Sequence, residues 1–206
     1  MFHTTYISFI IIGLNVLISY YAFSHRELID KYAFNPYRIL HNKEYYRILT
    51  SSFLHANPQH LLFNMLSLYL VGRYIESILI QYFGPTLGSF HFLMIYFGGA
   101  AMGTVLSFWK NHDNPYYQSI GASGAVSAAI FAFIMWMPNV EFYLFFAIPM
   151  KAYIFGILFL GFEYFAMARG KGHIAHDVHF VSAIFGVLYV LMINFDKGKD
   201  FFNLIF

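Results

Sequence analysis

Six stretches of 17 to 24 residues carry almost no charge, and they restrict this chain more than anything else in it. They cover residues 5–23, 60–80, 88–109, 121–137, 144–167 and 177–193. About 20 helical residues cross the hydrocarbon core of a bilayer, so each stretch is long enough, or nearly so, to span. Backbone polar groups facing lipid must be bonded within their own segment, which leaves helices as the solution for single apolar runs. The sequence therefore predicts an all-α, polytopic membrane protein: one domain over residues 1–206, built as a six-helix bundle. Only 11% of its residues are charged, against about 25% in a soluble domain. Cysteine is absent, which excludes disulfides, thiol nucleophiles and thiolate metal sites. A net charge of +2 gives no basic surface for nucleic acid.

Between the first two stretches lies a long polar-aromatic connection, Ser24 to Pro58. Arg26, Lys31, Arg38, Lys43 and Arg47 alternate there with Tyr32, Phe34, Tyr37, Tyr45 and Tyr46. That mixture suits the lipid headgroup zone and predicts short interfacial helices, with a plain extramembrane loop as the alternative. Pro58 marks a helix start. Pro149 and Lys151 move the regular part of the fifth stretch later than residue 144. The end of the chain reads as a charged tail followed by an apolar segment too short to span.

Consecutive spans alternate direction, so spans two, four and six begin on one membrane face. Their first turns bring His60 and Asn64, then Ser123, then His176 and His179 to that face at similar depth. Gly121-Ala122-Ser123-Gly124-Ala125 alone reads first as a close-packing face. Polar groups converging from three helices point instead to function. A serine hydroxyl needs an adjacent base, and a neutral imidazole is suited to take its proton and return it. His179 is the candidate base for Ser123. His60 and Asn64, four residues apart, share a helix face; they suit either interhelical hydrogen bonding or, with backbone amides near Gly121, an oxyanion site. Asp177 points to another face, so the pair is expected to act as a dyad. His173, His176 and His179 repeat every third residue, a spacing that zinc accepts; with no convergent carboxylate, no metal and no cofactor are expected.

These residues resemble the rhomboid family of intramembrane serine proteases. Gly121-Ala122-Ser123-Gly124 matches its GxSG motif and His60 to Asn64 its HxxxN. Tyr45-Tyr46-Arg47 is similar to an aromatic-Arg element of its first loop, and Gly72 with Glu76 to its GxxxE. In span six the family's two glycines fall at Ser182 and Gly186 when the base is His179; the register on His176 would put His179 and Ala183 there instead. Some relatives stack a tyrosine on the base one turn after the serine. Here that position is Ser127, so another group must orient the base.

The resemblance implies a serine endopeptidase that cuts transmembrane segments of single-pass membrane proteins within the lipid bilayer, with Ser123 and His179 catalytic and His60, Asn64 and Gly121 lining the oxyanion and substrate site. The alternative is an inactive relative that binds membrane clients. It also implies a bacterial cell membrane with the site opening outward, although the Lys and Arg residues on the site face would place that face in the cytoplasm under the positive-inside rule.

Overall fold

A computed structural model of the chain describes residues 6–144, 147–169 and 175–205. Helix α1 (Ile7–Ser24) is followed by three short helices, α2 (Glu27–Tyr32), α3 (Pro36–Asn42) and α4 (Arg47–Thr50), and a 3₁₀ turn at Ser51–Phe53. Helices α5 (Pro58–Ser67) and α6 (Arg73–Phe83) join through a π turn at Leu68–Gly72. Helices α7 (Pro85–Asn111) and α8 (Ser123–Trp136) come next, then strands β1 (Glu141–Leu144) and β2 (Ile148–Lys151). Helices α9 (Ala152–Arg169), α10 (His176–Ile193) and α11 (Asp196–Ile205) complete the order.

Small residues decide what lies at the centre. Helix α8 contributes Gly124, Ala125, Ala128, Ala129 and Ala132, all buried, and it is enclosed by α7 and α10. A Cβ on Gly186 of α10 would lie 2.3 Å from the carbonyl oxygen of Ala128, so the two helices touch backbone to backbone there. One turn nearer the site, Ser182 stands where the family's first glycine would be. Its hydroxyl occupies the space beside Gly103 and Gly124 and donates to the Gly99 carbonyl at 2.9 Å. The serine is tolerated because glycines on the facing helices leave room and its proton finds an acceptor.

Helix α1 is anchored at its start and near its middle. At its start, Glu76 of α6 accepts the amides of Ile7 and Ser8, each at 2.9 Å. Those amides have no acceptor within the helix, and a carboxylate suits the positive end of a helix dipole. Lower in the bundle Asn15 bonds to the Tyr96 hydroxyl at 3.2 Å. The segment after α1 forms the expected short helices rather than an open loop. Buried Arg47 donates to the carbonyls of Asp30 and Ala33, both at 2.9 Å, and pairs with Glu44. Phe34 and Ser119 exchange two backbone hydrogen bonds, so this segment is latched to the strand that leads into α8.

Helices α1, α7, α9 and α10 are long and apolar enough to cross a membrane. Helix α8 is apolar but has only 14 residues, and the helical run from Pro58 to Phe83 is more polar and is interrupted by its π turn. The fifth apolar stretch is corrected from 144–167 to Ala152–Arg169. Its residues Ile148–Lys151 form β2, which pairs antiparallel with β1 and carries the Lys151–Glu141 ion pair at 3.1 Å. The charged tail is also corrected: residues 196–205 form a helix, supported by Lys197–Asp200 and Lys199–Asp196 pairs. Lys197 also lies over the Trp136 ring.

Candidate active site

Ser123 is the first residue of α8, placed there by the two residues before it. Gly121 has φ of +133°, a region L side chains rarely adopt, and donates its amide to the Ser51 carbonyl at 3.0 Å. Ala122 caps the helix, and its carbonyl accepts the Val126 amide at 2.9 Å. The amides of the first turn therefore have no intrahelical acceptor and point out of the helix end beside the Ser123 hydroxyl.

The first turn of α10 brings His179 to that hydroxyl, with Nε2 2.8 Å from Ser123 Oγ. On the other side of the ring, Nδ1 is 3.1 Å from Oε1 of Glu163 on α9. The second carboxylate oxygen, Oε2, is 2.6 Å from Nδ1 of His176. A carboxylate only accepts, so both Nδ1 atoms carry protons. The neutral His179 ring then presents a lone pair at Nε2, and the Ser123 hydroxyl donates to it. Glu163 is buried, and the two imidazoles satisfy both of its oxygens.

This corrects two expectations. The dyad has a third member, since Glu163 holds the imidazole through Nδ1. A carboxylate does converge on the histidine run. Of the two histidines weighed for that role, His179 is the one beside Ser123 Oγ, while His176 lies on the far side of Glu163. His173 falls outside the described residues. Asp177 behaves as expected: it turns to α7, where it accepts from Ser107 at 3.0 Å and Lys110 at 3.3 Å. Glu163 was detectable in principle. It is the only carboxylate between Lys151 and Asp177, and a lone acid in an apolar helix is costly enough to imply a partner. Span five runs opposite to span six, so its final turns lie beside the first turn of span six.

Of the other predicted residues, His60 stands against Gly121. A Cβ there would lie 2.7 Å from His60 Cε1 and 3.8 Å from Ser123 Oγ, so imidazole and hydroxyl flank one side of the glycine. The Ala56 amide approaches His60 Nδ1 at 3.5 Å, which leaves Nε2 as the protonated donor of the neutral ring. Asn57 caps α5 by accepting the His60 amide at 2.8 Å, with Pro58 in the first turn. Asn64 lies one turn further along and is buried; it spends one N–H on the His60 carbonyl at 3.0 Å. A narrow cleft lined by Ser51, Ser52, Thr104 and Ser119 opens beside Gly121 and Gly124.

One further histidine, His55, was not singled out from the sequence. Ser19 donates to the Phe53 carbonyl at 2.9 Å, so its oxygen accepts from His55 Nδ1 at 2.8 Å. His55 Nε2 is therefore unprotonated and accepts the Ala122 amide at 3.4 Å. One neutral imidazole thus ties α1 to the residue before Ser123. Burial holds its pKa far below the ordinary histidine value, at about 3, and the nearby His60 adds to the shift.

The chain is similar to known proteins over most of its length. A family model described as the Rhomboid domain matches residues 42–194. The chain is 28% identical over 169 residues to RHOMBOID-like protein 12, mitochondrial, of Arabidopsis thaliana, covering 74% of this chain and 47% of that protein. It is 25% identical over 195 residues to Rhomboid protein 1, mitochondrial, of Saccharomyces cerevisiae, covering 91% of this chain and 53% of that one. It is 35% identical over 91 residues to Rhomboid protease GluP of Bacillus subtilis, covering 44% and 16%. The chain thus spans about half or less of the length of these relatives.

Proposed function

Since this chain belongs to the Rhomboid family, we propose that it is an intramembrane serine endopeptidase, a single membrane domain whose six helical segments all cross the bilayer. The observation that carries the reading is the chain of contacts from Ser123 Oγ to His179 Nε2 and from His179 Nδ1 to Glu163. In this reading His179 takes the Ser123 proton as the oxygen attacks a scissile carbonyl. Glu163 keeps the imidazole in the productive tautomer and stabilises the imidazolium that forms. The first-turn amides of α8, the His60 Nε2–H and the remaining Asn64 N–H stabilise the oxyanion near Gly121. His179 then protonates the leaving amine, and water releases the acyl-enzyme.

The substrates proposed are single-pass membrane proteins whose helix unwinds near the site face. A short α8 supports this, because it holds the nucleophile near one face of the bundle rather than at mid-membrane. The membrane we propose is a bacterial cell membrane with the site facing outward. The mitochondrial relatives lend this setting no support, so it rests on the family resemblance alone. A reporter fused at the C-terminus and found active outside the cell would overturn that orientation.

The activity is tested by fluorophosphonate labelling of the detergent-solubilised chain. Wild type is expected to label, Ser123→Ala and His179→Ala to lose labelling, and His176→Ala to keep it. No labelling of folded wild-type protein would favour the inactive, client-binding reading.

A further inference from the structure

The mechanism above uses one oxygen of Glu163 and leaves His176 without a task. We propose that Glu163, His176 and His179 together form a zinc site whose occupation disables Ser123. The inhibitory part of this inference rests on the protease reading; the metal site does not.

The donor set is the first ground. Two imidazole nitrogens and one carboxylate are a common three-residue zinc set, leaving the fourth position to water. Imidazole also selects zinc over magnesium and calcium. Geometry is the second. One donor atom from each residue lies within 4.8 Å of the others, and the carboxylate oxygens are 2.6 Å and 3.1 Å from the two Nδ1 atoms. Ligands of a tetrahedral zinc ion stand about 3.4 Å apart, given metal–ligand bonds of about 2.1 Å. Rotation of two histidine side chains closes what remains. Access is the third. The side chains of His176 and His179 are 13% and 16% exposed, so an ion reaches them without unfolding either helix.

Zinc needs the Nδ1 lone pairs, and both Nδ1 atoms now carry protons. Binding therefore moves each proton to Nε2 through solvent, from one neutral tautomer to the other, with no change in the charge of either ring. His179 then holds N–H at the atom facing Ser123. It donates to Oγ where it accepted before, and the hydroxyl proton has no acceptor. The same shift removes the Glu163 contact that fixed the productive tautomer. The ion and the proton transfer compete for a single nitrogen pair of one ring.

The experiment uses the full chain in detergent. Zinc binding is measured directly, by metal content after buffer exchange, on Ser123→Ala, which keeps all three ligands and needs no activity. In parallel, fluorophosphonate labelling of wild type and His176→Gln is followed against zinc chloride, each normalised to its own metal-free rate, with magnesium chloride as control. The expected results are one zinc per Ser123→Ala chain, loss of wild-type labelling with zinc and not magnesium, and recovery with chelator. His176→Gln is expected to need at least about tenfold more zinc, since a lost ligand weakens the site at least as much as a lost supporting contact. No zinc bound to Ser123→Ala overturns the proposal even if the enzyme is active. Equal zinc sensitivity in His176→Gln overturns it as well. Zinc bound through His176 in a chain that never labels would uphold the site and sink the protease reading.

Discussion

At the scale of single residues, Glu163 carries the most weight. Ser127 occupies the position from which some relatives stack a tyrosine on the base, and the orientation it cannot supply comes from a carboxylate on another helix. Replacing that carboxylate by its amide keeps the volume but removes the acceptor that fixes Nδ1–H. Glu163→Gln is expected to lower kcat by about 100-fold or more, with KM little changed, because the contact matters most once the imidazolium forms. Steady-state cleavage of a transmembrane substrate checks it, and a loss confined to KM would move Glu163 to a substrate-binding role. Ser123, His60, Asn64 and His179 were legible because their chemistry shows in short spacings on known helix faces. Glu163 left a weaker signal, a lone acid in an apolar span, because no short motif links it to a partner 16 positions away.

At the scale of elements, the contact between α8 and α10 sets the distance between Ser123 and His179. Gly186 lies two turns below His179 on the same helix, against the Ala128 carbonyl. Gly186→Ala drives a methyl into backbone, which cannot rotate away. Overpacking of this kind costs about 1–3 kcal/mol, and it parts the two helices that carry the reacting atoms. Gly161→Ala is the contrast: nothing lies within 4 Å of its added carbon. There the methyl raises helix propensity by up to about 1 kcal/mol. Thermal midpoints in detergent should fall for Gly186→Ala and hold or rise for Gly161→Ala, with labelling slowed only in the former. Most helix boundaries followed from apolar length. The hairpin at Glu141–Lys151 and the final helix did not, since strand pairing and an amphipathic ten-residue helix leave no such run in the sequence.

At the scale of the whole molecule, His55 links the first helix, the interfacial segment and the nucleophile helix through one neutral ring. Its folded pKa of about 3 lies below the value of about 6.5 of an unfolded histidine. Between those values the unfolded chain binds the proton and the folded chain does not, so stability rises with pH across that window. It is full above pH 6.5 and is lost as pH falls toward 3, by at most about 1.4 kcal/mol per unit. The thermal midpoint of wild type should therefore drop more steeply between pH 7 and pH 5 than that of His55→Asn. Parallel slopes would remove His55 from this role. The basic residues of the site face also belong to this scale. Arg47 and Arg38 bind backbone carbonyls of the interfacial segment, so part of the positive charge counted from the sequence folds that segment and is not free to meet lipid.

Helix α9 is the least enclosed of the four long apolar helices, with 17% of its apolar window buried inside the protein. It is also the helix that supplies Glu163. His179 is thus held in register by the least enclosed of those four helices. Any force that draws α9 outward, from a substrate helix or from a change in bilayer thickness, is felt first as a longer Glu163–His179 contact. By reciprocity, whatever tightens that contact resists the displacement.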